Sequence, residues 1–198
     1  MLRSVLSTIL AAALLTTSAA RVSATERPKE GNSIDDHITL LESVERAGVR
    51  IYMNPAHCEP KGDLTPSGLY ISQSRVMIIC QDNGKYDGVV VNPTDNDLDT
   101  IRHESQHVIQ DCKDGIGDNS LVNMFPVVKT EGRLSLSEFV TNSGLTPREL
   151  MHIFTTYTQA GADNKVIGLE FEAFATAEAI SARTIALAVD HVCAVDNN

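Results

Sequence analysis

Residues 95–113 read DNDLDTIRHESQHVIQDCK and carry the strongest helix signals in the chain. Asp95 or Asn96 is expected to cap the amino terminus, and the acidic side chains of the first turn favour the positive end of the helix dipole. At the other end, Lys113 lies in the predicted last turn and a glycine follows two residues later, as is typical of a helix terminus. We therefore predict a helix from about residue 96 to residue 113.

Two histidines and a glutamate lie within this helix in the pattern H-E-x-x-H, at His103, Glu104 and His107. Residues four apart project from the same face of a helix, so the two imidazoles can hold one metal ion. Glu104 points about 100° away around the helix axis, which disfavours it as a ligand but lets it reach a water molecule beside the metal. Two imidazole ligands favour one Zn²⁺ ion. We interpret His103 and His107 as metal ligands and Glu104 as a general base.

A catalytic zinc takes three protein ligands and keeps one position open, so a third ligand is required. The best candidates are Glu170 and Glu172, which lie in an alanine-rich predicted helix from about residue 165 to residue 193. A carboxylate in such an apolar helix is costly to bury unless it is paired or bound to a metal. The residues alone leave open which of the two glutamates is the ligand, and whether either is simply solvated.

The other patterns predict an α+β domain with a small mixed sheet. Helices are predicted at residues 34–47 and 148–158, and strands at residues 49–53, 68–71, 76–80 and 88–91. Thr146 is expected to cap the second of these helices, with Pro147 at its first position. The second and third strands are close enough in sequence to form a hairpin. Residues 114–145 show no regular pattern and are expected to be irregular.

Residues 1–24 have the organisation of a secretory signal peptide. Arg3 precedes a short apolar run at residues 5–17, and small-residue cleavage patterns follow it. The apolar run is shorter than the roughly 20 residues needed to span a bilayer, which argues against a membrane anchor. We therefore expect an exported protein, secreted or periplasmic, with no membrane contact after the signal peptide is removed. Residues 25–33 are expected to form a flexible leader before a single domain at residues 34–198.

Export changes the interpretation of the four cysteines, because an even number in an oxidising compartment indicates two disulfides. Four cysteines allow three pairings. The favoured pairing joins Cys58 to Cys80, which would close a hairpin-like region, and Cys112 to Cys193, which would tie two helices together. A cysteine metal site is disfavoured because the chain contains no C-x-x-C pair.

The acidic composition argues against two classes of partner. The chain has 16 Lys and Arg against 26 Asp and Glu, which gives a net charge of −10 and a pI near 4.9. Nucleic acids and anionic membranes both bind basic surfaces, which this chain would have to build against its own negative field. We therefore expect neither of them as a partner, and the sequence does not predict the oligomeric state.

An H-E-x-x-H helix followed by a glutamate on a later helix resembles the gluzincins, the thermolysin-like branch of the zinc metallopeptidases. The resemblance implies a zincin-like fold with an active-site helix and a carboxy-terminal helix that bears the third ligand. Several gluzincin groups carry E-x-x-A on that second helix, which matches Glu170-Phe171-Glu172-Ala173 here. The resemblance therefore favours Glu170 over Glu172 and implies one Zn²⁺ ion held by His103, His107 and Glu170.

The resemblance also implies a function, the hydrolysis of peptide bonds in a polypeptide or peptide substrate by metal-activated water. Glu104 would activate that water and then donate a proton to the leaving amine. Residues 76–80 would form the edge strand over the cleft and hold an extended peptide through backbone hydrogen bonds. A non-catalytic secreted module that keeps the fold for binding is the alternative, and cleavage of peptidoglycan cross-links ranks below both.

Two points of the site are left open at this stage. In the gluzincin pattern an Asp or Asn often follows four residues after the glutamate ligand and orients a zinc-binding histidine, whereas this chain has Phe174 there. Tyr157, His152 and Arg183 are candidates to stabilise the negative charge that develops during hydrolysis. Nothing in their spacing selects one of the three.

Overall fold

The structure is a computed structural model that describes residues 30–59, 66–85, 88–116, 120–127 and 129–194. Within these residues the chain forms a mixed α+β fold with six α-helices and one three-stranded sheet, which confirms the predicted fold class at this level. The helices are α1 (Ile34–Arg46), α2 (Asp95–Asp114), α3 (Leu136–Asn142), α4 (Pro147–Gln159), α5 (Asn164–Ala179) and α6 (Ala182–Cys193); the strands are β1 (Arg50–Met53), β2 (Gly68–Ile71) and β3 (Val76–Ile79). The predicted signal peptide lies outside the described residues.

Helix α2 is the centre of the fold, because it packs against α1, α5 and α6 and against the sheet. Its amino terminus is capped by Thr94, so the prediction of Asp95 or Asn96 is wrong. The Thr94 hydroxyl accepts a hydrogen bond from the backbone N–H of Asp97, and the Asp97 carboxylate accepts one from the backbone N–H of Thr94. This reciprocal capping box satisfies two backbone donors that the helix itself cannot pair.

The sheet has the strand order β1-β3-β2, with β1 parallel and β2 antiparallel to β3. The predicted hairpin between residues 68–71 and 76–80 is confirmed. The expectation that residues 76–80 form the edge strand is wrong, since β3 is the middle strand and β2 forms the edge that packs on α2. The sequence of β3, VMII, is apolar on both faces because both are covered: Met77 and Ile79 lie in the main core, and Ile78 packs with Cys58 and Cys80.

Residues 88–91 form no strand, contrary to the prediction, and make one isolated bridge between Lys85 and Val89. Side-chain amides instead donate hydrogen bonds to backbone carbonyls of this segment. The Asn54 amide donates to the Val89 carbonyl at 2.7 Å, and the Gln81 amide donates to the Val91 carbonyl at 2.9 Å. Two buried amide side chains thus take the place of a neighbouring strand.

The carboxy-terminal region contains two helices where one was predicted over residues 165–193. Ile180 is extended, with φ −110° and ψ 135°, and this ends α5. The Ser181 side chain then accepts a hydrogen bond from the backbone N–H of Thr184 and caps α6. The break lets α6 turn back onto α1 and α2, which a single straight helix would not reach.

The other two predicted helices are present, and the predicted irregular segment contains a further helix. Those predicted at residues 34–47 and 148–158 are confirmed as α1 and α4, and Thr146 caps α4 as expected. Residues 114–145 are not irregular throughout, because they contain the whole of α3. The Ser135 hydroxyl and the Glu138 carboxylate form a capping box at the beginning of that helix.

Two disulfides fasten the fold, and both favoured pairings are confirmed. Cys58–Cys80 joins the segment after β1 to the end of β3, and Cys112–Cys193 joins the last turns of α2 and α6. Disulfides of this kind are typical of proteins that reside in an oxidising compartment. Among the described helices, none has the length and apolar character needed to cross a lipid bilayer.

The last residues of the predicted leader, residues 30–33, are held against the start of α6. The Gly31 carbonyl accepts a hydrogen bond from the backbone N–H of Arg183, and the Asn32 side chain accepts one from the N–H of Ala182. Ser33 caps α1. Residues 25–29 lie outside the part of the chain that the structure describes.

Among the described residues, the core has two main apolar regions besides a small cluster around Cys58, Ile78 and Cys80. The larger one lies between α1, α2, α6 and the sheet, and the smaller one lies between α3, α4 and α5. Helix α2 belongs to the first region and α5 to the second, and the two helices pack against each other. Their contact joins the two regions, and the polar residues of the H-E-x-x-H motif lie in this contact.

Candidate metal centre

His103 and His107 lie on α2 and face Glu170 of α5. The two Nε2 atoms are 3.2 Å apart. One Glu170 carboxylate oxygen lies 3.3 Å from the Nε2 atom of His103, and the other lies 3.6 Å from that of His107. One potential ligand atom from each residue lies within 4.8 Å of the other two, so the three side chains form a group that can hold a metal ion.

Burial of this group supports the same conclusion. His103, Glu104, His107 and Glu170 are between 1 and 7 % exposed. Within the described part of the chain, buried polar atoms here such as His103 Nδ1 and Glu104 Oε1 have no hydrogen-bond partner, and Glu170 Oε2 has the His103 imidazole 3.3 Å away. Buried polar atoms without partners are rare in folded proteins. A divalent cation between the two imidazoles and the carboxylate fits this set of donors.

The electrostatics of the group favour positive charge at its centre. Burial is the largest single effect on the pKa of His107 and lowers it, but Glu170, Glu104 and Gln110 together outweigh burial and raise that pKa to about 9. Burial likewise opposes ionisation of Glu170, yet His107 and His103 lower the pKa of the carboxyl well below its usual value. The carboxylate therefore stabilises a cation beside the imidazoles, whether that cation is a proton or a metal ion.

Glu172, the other candidate ligand, is turned away from the histidines. It is completely buried and accepts hydrogen bonds from the Gln106 amide at 2.7 Å, the Asn123 amide at 2.8 Å and the backbone N–H of Met124 at 2.9 Å. Burial raises its pKa, against the effect of these donors. Glu172 thus fastens residues 123–124 to α2 and α5, and the structure brings Glu170 alone of the two glutamates to the histidine pair.

Glu104 lies beside the metal group, against strand β2. The backbone N–H of Tyr70 faces its carboxylate and partly offsets the effect of burial on its pKa, whereas Oε1 has no hydrogen-bond partner among the described residues. A Cβ atom at Gly68 would lie only 2.8 Å from Oε1, so the strand approaches this closely because residue 68 is a glycine. Burial raises the pKa of Glu104.

The backbone of β2 faces Glu104 because of its register with β3. Cys80 donates a backbone hydrogen bond to the carbonyl of Ser67, so the alternating pattern of an antiparallel pair directs Leu69 toward β3. The polar backbone groups of Gly68 and Tyr70 therefore point toward α2 and the edge of the sheet. The Tyr70 hydroxyl donates to the buried Asp111 carboxylate at 2.6 Å, which fixes β2 along α2.

Of the three residues considered for charge stabilisation, only Tyr157 lies at the group. It is 3 % exposed on α4, and burial together with the Glu170 charge raises the pKa of its phenol. His152 is exposed on the same helix. Arg183 lies at the start of α6, where its guanidinium contacts Asp36 at 2.8 Å.

Two neighbours of the histidines were not anticipated in these roles. The ring of Phe174 packs edge-on against that of His103, with centroids 4.4 Å apart. The side chain of Gln110 lies 2.8 Å from Nδ1 of His107. Gln110 is three residues after His107 on the same helix, so its spacing was a usable signal.

The fold and the site together define a disulfide-linked α+β protein with a buried His-His-Glu group. Residues 20–137 match the family described as a domain of unknown function (DUF8637), and the chain belongs to this family. The matched region contains the sheet and the H-E-x-x-H motif but ends before Glu170. No curated protein and no solved structure matches the chain.

Proposed function

We propose that the protein is a secreted zinc-dependent metallopeptidase that hydrolyses peptide bonds in the manner of a gluzincin. The observation that carries the proposal is the convergence of His103, His107 and Glu170 in a buried group with Glu104 beside it. Two imidazoles and one carboxylate form a ligand set that suits Zn²⁺ and leaves one position open. When bound, the ion would supply the positive charge that acidifies a water molecule and polarises the scissile carbonyl.

Glu104 is the residue that would move the proton. One of its carboxylate oxygens is without a hydrogen-bond partner among the described residues, so it is free to accept a proton from water. The Tyr70 N–H faces the same carboxylate and favours its ionised form. Burial raises the pKa of Glu104, which brings it closer to neutral pH and suits a group that first accepts a proton and then returns it to the leaving amine.

Tyr157 is the favoured residue for stabilising the developing negative charge. Its hydroxyl is buried next to Glu170, and burial together with that carboxylate raises the pKa of the phenol. A phenol is a neutral donor at physiological pH, so it can hydrogen-bond an oxyanion without competing for the ligands. The position of this hydroxyl supports Tyr157 over His152 and Arg183.

A structural metal centre in a non-catalytic module is the second candidate. The near-complete burial of the four residues favours it, because structural zinc sites are closed whereas catalytic ones keep an open position. Both candidates require the same ligands and predict bound metal. They differ in whether Glu104 has a chemical role.

Export through residues 1–24 is part of the proposal. The two disulfides support it, since such bonds persist in the extracellular space or the bacterial periplasm. The charged amino terminus, short apolar run and small-residue cleavage patterns of the sequence support it independently.

The proposal is tested by measuring metal content and peptidase activity on the same preparations. We expect the wild type to retain about one zinc ion and to cleave peptides of a mixed library. E104Q should retain the metal but lose about 10²- to 10⁴-fold in turnover, because it removes the general base. E170Q should lose most of its metal.

E172Q is the matched control, since it alters a buried glutamate of the same helix that faces away from the histidines. Folded E172Q should bind zinc as the wild type does. Zinc without any turnover in the wild type would favour the structural centre, and a wild type that binds no divalent metal would contradict both candidates.

A further inference from the structure

Gln110 is a completely buried glutamine on α2 that touches both helices of the candidate metal centre. Its amide oxygen is 2.8 Å from Nδ1 of His107, and its amide nitrogen is 3.2 Å from the backbone carbonyl of Leu169. Leu169 directly precedes Glu170 on α5. One side chain therefore connects an imidazole of the centre to the backbone beside the carboxylate.

These two contacts determine which ring nitrogen of His107 carries hydrogen. The Leu169 carbonyl can only accept a hydrogen bond, so the NH₂ end of the Gln110 amide must face it. The amide oxygen then faces Nδ1 of His107, and because this oxygen also only accepts, Nδ1 must carry the hydrogen. In the neutral imidazole the lone pair is consequently on Nε2, the atom that faces His103 and Glu170.

His103 lacks a comparable contact. Its Nδ1 atom has no hydrogen-bond partner among the described residues, and its ring packs against Phe174. Apolar packing thus orients one imidazole, and a hydrogen bond orients the other. Because of this difference, loss of Gln110 should affect the orientation of the His107 ring.

We propose that Gln110 is a positioning residue of the metal centre that fixes His107 as an Nε2 ligand. This assignment depends on the proposed function, since it presumes that the group binds a metal. Hydrogen bonds from a ligand histidine to a neighbouring acceptor fix the ring orientation and raise the basicity of the ligand nitrogen, and losing such a partner commonly weakens metal affinity about 10- to 100-fold. Gln110 also ties α2 to α5, so a purely structural role must be separated from positioning.

Two variants of Gln110 make this separation. Q110M is similar in size but removes both hydrogen bonds. Q110E keeps an oxygen that accepts from Nδ1 of His107 but its carboxylate has no N–H for the Leu169 carbonyl, so it removes the tie between the helices and adds a negative charge beside His107. Positioning predicts that Q110M loses metal affinity and Q110E retains it, whereas a structural role predicts that both lose it.

The experiment titrates metal-free full-length mature protein with Zn²⁺ in competition with a chromophoric chelator, and measures unfolding by urea in parallel. We expect Q110M to bind zinc about 10- to 100-fold more weakly than the wild type and Q110E to bind it about as tightly. Q106M is the matched control, because it alters a buried glutamine of the same helix that contacts Glu172 instead of a histidine. Its zinc affinity should equal that of the wild type.

Wild-type affinity in folded Q110M would overturn the assignment, and so would equal losses in Q110M and Q110E. A wild type that binds no zinc would overturn the proposed function together with this assignment. A wild type that binds zinc while the Gln110 variants behave as above would overturn the assignment alone, so the two failures are distinguishable. If Q110M does not fold, ¹⁵N NMR of the zinc-loaded wild type decides the matter. The hydrogen of the His107 ring should then be on Nδ1, and finding that Nδ1 binds the metal would overturn the assignment.

Discussion

His37 and Arg102 form a buried contact between α1 and α2, directly next to the metal-binding motif in sequence. The Arg102 guanidinium donates to Nε2 of His37 at 2.7 Å, and Nδ1 of His37 lies 2.8 Å from the Ser33 carbonyl. A guanidinium only donates, so Nε2 accepts, Nδ1 carries the hydrogen and the ring is neutral. Burial and the Arg102 charge lower the pKa of His37, although the Ser33 carbonyl and the Asp36 charge oppose this.

The His37 contact predicts a loss of stability at mildly acidic pH. The pKa of the histidine is lower in the folded state than the value of about 6.5 expected in the unfolded chain. Stability is therefore complete above that value and falls as the pH decreases toward the folded-state pKa, by at most about 1.4 kcal/mol per pH unit from this group. Urea unfolding at several pH values between 7.5 and 5.5 measures the effect.

In H37Q this part of the pH dependence should be absent, since glutamine can still accept from Arg102 but does not titrate. H152Q, which replaces an exposed histidine on α4, serves as the control. The same pH dependence in the wild type and H37Q would contradict the prediction.

At the residue scale, the sequence was informative where the relevant spacing is local. His103 and His107 share a helix face because they are four residues apart, and this follows from helix geometry alone. The choice between Glu170 and Glu172 depends on how α5 docks against α2, which no local pattern encodes. The partners that hold Glu172 away from the site, Asn123 and Met124, come from a segment that was expected to be irregular.

Helix boundaries in this chain follow capping residues. Thr94 and Ser135 each have an acidic residue three positions later, Asp97 and Glu138, so both capping boxes were present as sequence signals. The break before α6 was harder to predict. Ser181 interrupts a continuous apolar pattern without a glycine or proline, and the packing of α6 on α1 and α2 makes the turn favourable.

The contact between β2 and α2 predicts that G68A is destabilising. A Cβ atom there would lie 2.6 Å from Thr100 Cγ2 and 2.8 Å from Glu104 Oε1, too close for atoms in a packed interior. Overpacking of this kind costs about 1–3 kcal/mol. Unfolding by urea should show the loss, and turnover should fall because Glu104 must move.

G168A is the matched control for that substitution. The nearest atoms to an added Cβ at Gly168 lie at 3.5 and 3.6 Å, which is ordinary contact. Alanine in helix α5 should therefore be neutral or stabilise the protein by up to about 1 kcal/mol. Equal stabilities of G68A and G168A would show that β2 does not press on α2 as described.

At the scale of the whole molecule, the two disulfides should differ in their contribution to stability. Cys112–Cys193 closes a loop with a sequence separation of 81, against 22 for Cys58–Cys80. In the chain-entropy description these loops correspond to about 4.5 and about 3.4 kcal/mol. The double variant C112A/C193A should consequently unfold at lower urea than C58A/C80A. The reverse order of midpoints would mean that strain or residual structure outweighs loop length.

The fold class was predictable as a whole, but the arrangement of its parts was not. Alternating and helical patterns identify an α+β domain with a small sheet, and these depend only on periodicity. The order of the strands, with β3 in the middle, depends on the parallel pairing with β1, which brings together residues 26 positions apart, such as Arg50 and Val76. Such long-range pairings leave no trace in the local pattern.

Helix α2 is enclosed on nearly every side, and this sets the size of the unit that can fold. The region shared with the family ends at residue 137. Two of the helices that cover α2 lie beyond it, as does Cys193, the partner of Cys112. A chain cut at that boundary would expose the most buried helix of the protein to water and retain two imidazoles without their carboxylate. A unit that folds around α2 must therefore extend through α6.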